Sequence, residues 1–159
     1  MPQPRALQRF DPPVQLKLSA LWASVMLCYI YGDYFGLFVP GTLKPMFDGQ
    51  MGSLGPTTQG VLLGTSALIT FPALMVALSL LLPPTVNRWL NIVLGLAYTA
   101  IVIFFMSGGW WFYEALAVVE VILQLLVVWH AWKWPRVPET IPVMLTASDA
   151  PASPSLSAP

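Results

Sequence analysis

A chain of 159 residues is about one domain long. Only 9 % of it is charged and 57 % is hydrophobic, whereas a soluble domain carries about 25 % charged residues. That balance, with a mean hydropathy of +0.71, excludes an ordinary water-soluble globule and places the chain in the membrane class. Seven Lys/Arg offset seven Asp/Glu, so no net field points to nucleic acid or to an acidic partner.

Residues 1–17 form a short arm with Arg5, Arg9 and Lys17, charged like the n-region of a signal peptide. The apolar run that follows, 18–39, is too long for a signal h-region, contains Asp33 and lacks a small-x-small cleavage site after it. It reads as a retained first span, closed by Pro40-Gly41. The single cysteine, Cys28, lies within it and reads as packing; alone, it excludes an intrachain disulfide and any multi-thiolate metal site. A Gly/Pro/Met-rich connection over 42–59 is either an interfacial segment with Met46, Phe47 and Met51 dipping inward, or a plain extracytoplasmic loop.

The second span covers 60–82 and stops at Pro83-Pro84; the third covers 85–106 and ends at Ser107-Gly108-Gly109. The fourth covers 110–134 and stops at Pro135. Each run approaches or exceeds the roughly 20 apolar residues that a crossing helix requires. The membrane domain is thus 18–134, and 135–159, rich in Pro, Ser and Ala, is expected to be a disordered cytoplasmic tail. Lipid admits helices rather than open sheets, and two short connections make their helices antiparallel neighbours. The expected fold is all-α, a four-transmembrane-helix antiparallel bundle.

Basic residues set the orientation. With four crossings, Arg5, Arg9, Lys17, Arg88, Lys133 and Arg136 share one side, and only Lys44 lies opposite. The asymmetry puts both termini in the cytoplasm. Trp22, Trp89, Trp110, Trp111, Trp129, Trp132 and Trp134 fall mostly near span ends and read as interfacial anchors.

Three carboxylates, Asp33, Glu114 and Glu120, interrupt apolar runs, where each needs a partner, a proton or a wet cavity. Tyr29 precedes Asp33 by one helical turn, and Tyr31, Tyr34 and the Gly32/Gly36 pair surround it. Either Asp33 is hydrated near the outer interface or it belongs to a polar cluster. Glu114 is one turn from the outer edge and reads as wet. Glu120 lies near mid-membrane, on one face with Tyr113 and Gln124. It is either a structural interhelical hydrogen-bonding group or a protonatable site lining a cavity. Thr65, Ser66, Thr70 and Pro72 give the second span hydroxyls and an expected kink. Asn91 and Tyr98 share a face of the third span and either donate to Glu120 or glue helices together. Gly60/Gly64 repeats the small-residue spacing.

No phosphate loop, nucleophile elbow, CxxC or HExxH occurs, and His130 stands alone about 15 Å of helical rise from Glu120. No metal site and no cofactor is named by these residues, and an intramembrane enzyme is the weakest class. The segments LWASVMLCYIYGD (21–33), TQGVLLG (58–64), NRWLN (87–91) and AWKW (131–134), with a Glu in the last span, resemble an uncharacterised bacterial family of small four-helix membrane proteins, a domain of unknown function. The similarity covers about 16–134, and the layout is distantly similar to DoxX-type bundles. The resemblance implies fold and location, without an activity.

The expected function is a polytopic inner-membrane protein with a polar pocket for a small molecule, cation or proton. Asp33, Glu120, Tyr29, Tyr113, Gln124, Asn91 and Tyr98 are its candidate residues. The alternative is a structural or interaction subunit, partnered by a second copy or another membrane protein.

Overall fold

A computed structural model describes residues 10–106 and 109–135. The tail expected beyond Pro135 and the first nine residues of the arm lie outside that range. Five helices follow in order: α1 (Val14–Gly36), α2 (Leu43–Phe47), α3 (Gln59–Leu81), α4 (Pro84–Phe105) and α5 (Trp111–Trp132). No strand occurs among the described residues.

Helix ends follow local chemistry. Helix α1 starts directly after Pro12-Pro13, one turn before the run of 18–39, and stops three residues short of that run's end. There Leu37, Phe38 and Val39 donate to the carbonyls of Tyr34, Phe35 and Gly36, three residues back, and the chain unwinds toward Gly41. The connection is folded rather than a plain loop. It carries α2 and a 3-10 turn at Gly52–Leu54, and the Thr57 N–H donates to the Gly49 carbonyl at 2.8 Å. Gly49 and Gly55, at φ 72° and 79°, supply the left-handed backbone its turns require. Thr58 caps α3, its Oγ1 accepting from the Val61 N–H at 3.2 Å. Pro84 occupies the first turn of α4, where an amide proton has no helical acceptor.

Among the described residues, four helices are long and apolar enough to cross a membrane. Their outward faces stay apolar: Leu63, Leu81, Phe104 and Trp111 are exposed, the last at 89 %. Helices apolar on both core and outer faces suit lipid rather than water. The chain is an all-α, multi-pass membrane bundle. Helix α1 lies between α3 and α5, while α4 packs closely on α5 and touches α3 most lightly.

The core of Leu18, Trp22, Met75, Ile92, Val127 and Ala131 fills the half of the bundle that holds the start of α1 and the end of α5. Trp22 corrects an expectation: it is not an interfacial anchor but 0 % exposed. Its indole N–H donates to Asn91 Oδ1 at 2.7 Å, and its ring meets Tyr98 edge-on at 6.2 Å. A buried indole needs such an acceptor, and Asn91 supplies it across the bundle.

Side chains of α4 also repair α3. Pro72 has no N–H for the Leu68 carbonyl four residues back, and the Tyr98 hydroxyl donates to that oxygen instead. Pro83 likewise leaves the Ser79 carbonyl without a donor, and Asn87 Nδ2 reaches it at 2.6 Å. Asn91 Nδ2 then donates to Asn87 Oδ1 at 2.7 Å, closing a buried network. The expected role of Asn91 as helix glue is what the geometry displays. α3 remains one continuous helix through Pro72.

The small-residue spacings behave differently from expectation within one chain. A Cβ on Gly32 would make ordinary contacts of 3.7 Å, and one on Gly36 or Gly64 would meet nothing within 4 Å. The close approach is at Gly95, where a Cβ would sit 2.7 Å from Val128 Cγ2.

Candidate functional site

A cavity of about 220 Å³ lies in the half of the bundle nearer the 42–58 connection. Each of the four long helices contributes to its lining. Tyr98, Ile101, Val102 and Phe105 repeat at i, i+3, i+4 and i+7 on α4, and Tyr113, Leu116, Ala117 and Glu120 do the same on α5. Helix α1 adds Tyr29, Gly32 and Asp33, and α3 adds Leu68 and Ile69. Asp33 and Glu120 therefore border one space.

Their settings differ. Glu120 is 8 % exposed, and among the described residues no group donates a hydrogen bond to its carboxyl oxygens. The nearby amide of Gln124 is turned elsewhere: its Nε2 donates to the Tyr29 hydroxyl at 2.9 Å. Asp33 is exposed at the rim, one turn before the end of α1. Glu114 does not line the cavity. It sits in the first turn of α5 and accepts from the Gly109 N–H at 3.2 Å, close to the positive end of that helix.

Five of the seven candidate residues thus line the cavity: Tyr29, Asp33, Tyr98, Tyr113 and Glu120. Gln124 does not; it is wholly buried behind Tyr29, with its Oε1 unpartnered among the described residues. Asn91 does not either, being held in the Trp22 network of the other half. Tyr98 presents its ring, because its hydroxyl is engaged by Leu68. The apolar wall of Leu68, Ile69, Ile101, Val102 and Phe105 escaped the sequence reading. The matching i, i+3, i+4, i+7 registers of 98–105 and 113–120 were the signal for the α4 part of it.

The cavity has acceptors, aromatic side chains and apolar surface, with no Lys or Arg in its lining among the described residues. It can hold a small, partly apolar solute beside a carboxyl group.

A model described as "Family of unknown function (DUF6326)" matches residues 7–140, most of the chain. No curated protein and no solved structure matches. The likeness to DoxX-type bundles gains no support from these comparisons.

Proposed function

We propose that this protein, which belongs to the DUF6326 family of unknown function, holds a small molecule, cation or proton in its intramembrane cavity. The observation carrying this reading is Glu120: a buried residue whose carboxyl group has no donor among the described residues, lining a cavity that Asp33 shares. An ionisable group in a bilayer is costly, and a water-filled or ligand-filled cavity is what makes it tolerable. The location we propose is a bacterial inner membrane with both termini cytoplasmic, supported by six basic residues on the side of the chain ends against Lys44 alone.

Cysteine accessibility tests the pocket. In a Cys28→Ser background, Ala117→Cys places a thiol in the cavity lining, and Val127→Cys places one in the packed core. Methyl methanethiosulfonate, small and neutral, should modify the first much faster than the second. Equally slow modification of both would overturn the reading.

A second reading, an interaction subunit, is favoured by one observation. Gly60 and Gly64 are exposed on α3, and apart from the Thr58 side chain nothing lies within 4 Å of a Cβ built on either. A helix of another chain has room to approach there. Crosslinking in native membranes that captures a stable partner, with Ala117→Cys unreactive, would favour this alternative.

A further inference from the structure

The cavity walls are divided by chemistry. Both carboxylates, Asp33 and Glu120, come from α1 and α5, and so do the phenols of Tyr29 and Tyr113. The facing walls on α3 and α4 are apolar apart from the Tyr98 hydroxyl, which is engaged by the Leu68 carbonyl. Among the described residues no basic side chain lines the cavity, and none there balances an anion or neutralises Glu120.

Resting on the pocket reading above, we infer that the cavity takes a monovalent organic cation with an apolar body, an amine or quaternary ammonium, with Glu120 as its counter-ion. Four features converge on that class. Glu120 is only 8 % exposed, so a cation beside its carboxylate is screened less than at an open surface. The rings of Tyr29, Tyr98 and Tyr113 offer faces that attract a cation. Leu68, Ile69 and Phe105 would bury hydrocarbon rather than the hydration shell of a small ion. A bare metal ion fits poorly, since among the described residues no group of three or more His, Cys, Asp or Glu converges.

The size agrees: 220 Å³ is room for roughly seven water molecules, or one compact organic ion in their place. The side of entry follows from packing. α3 and α4 make the lightest of the four neighbouring contacts, and the cavity lining on both is mainly apolar, so the hydrocarbon part of the ion faces the loosest seam of the bundle. Asp33, exposed at the rim, draws the charged part inward.

Three probes separate the elements of the claim, using the full chain in lipid nanodiscs and Ala117→Cys in the Cys28→Ser background. Benzyltrimethylammonium has charge and an apolar ring, neopentylbenzene has the same shape without charge, and tetramethylammonium has the charge without the ring. Benzyltrimethylammonium should protect the thiol from methyl methanethiosulfonate at a concentration at least about tenfold below either other probe. Glu120→Gln should abolish its advantage over neopentylbenzene while leaving the unprotected thiol reactive. Equal potency of the probes, an unchanged advantage in Glu120→Gln, or no protection by any of them would overturn the inference and leave the pocket standing. A thiol that never reacts would instead remove the pocket reading, and this inference with it.

Discussion

Tyr98 donates its hydroxyl to the Leu68 carbonyl, the oxygen that Pro72 leaves without a helical donor. The bond joins α4 to α3 across their lightest contact, beside the cavity. Removing it leaves that carbonyl at the edge of the cavity without its protein donor. Tyr98→Phe should therefore cost about 1–2 kcal/mol, read from the unfolding midpoint in detergent. In a Pro72→Ala background the helix supplies its own N–H at that position, and the same substitution should cost clearly less. A double-mutant cycle with no coupling would show that the hydroxyl does not compensate for the proline.

Asn91 binds three elements at once, accepting from Trp22 on α1 and donating to Asn87 on its own helix, while Asn87 reaches Ser79 on α3. Asn91→Leu leaves the indole N–H of Trp22 buried without an acceptor. A loss of about 1–3 kcal/mol is expected. Trp22→Phe in the Asn91→Leu background should recover part of it, since the orphan donor is then gone. If the second substitution only adds to the loss, packing rather than hydrogen bonding dominates at Trp22.

At Gly95, α4 packs against α5 with no room for a side chain. A Cβ there would lie 2.7 Å from Val128 Cγ2 and 3.4 Å from the Gln124 carbonyl. Valine is stiff at χ1, so the helices themselves must separate. Gly95→Ala should destabilise by about 1–3 kcal/mol, and Val128→Ala should rescue it. Gly36→Ala and Gly64→Ala, with open space around the new methyl group, should be close to neutral in the monomer. A larger effect of Gly64→Ala than of Gly95→Ala would indicate a partner helix on α3.

The side chain of Glu120 makes no hydrogen bond among the described residues, so the fold does not depend on its carboxyl group. Glu120→Gln and Glu120→Leu should both assemble with midpoints at or above that of the parent. Leucine is expected to add about 1–3 kcal/mol by removing a buried group that lacks a partner. A matched loss of stability in both variants would reveal a donor that holds the carboxyl group, and Glu120 would return to a structural role.

The sequence by itself determined the class, the helices and most of their ends. Hydropathy marks four runs long enough to cross lipid, and Pro40, Pro83 and Pro135 bound them because proline ends or redirects a helix wherever it falls. It also singled out Asp33 and Glu120, since a carboxylate among apolar residues is costly in any arrangement of the bundle. Only the tertiary structure decided which groups meet. Trp22 lies near a span end, as an anchor would, yet is buried because Asn91 faces it from across the bundle. Asn91 and Tyr98 lie seven residues apart on one face, yet Asn91 serves the core network and Tyr98 borders the cavity. Helical periodicity fixes the direction in which a residue points relative to its own helix. It says nothing of which helix lies there, and that neighbour decides whether a polar side chain closes a core or opens onto a cavity.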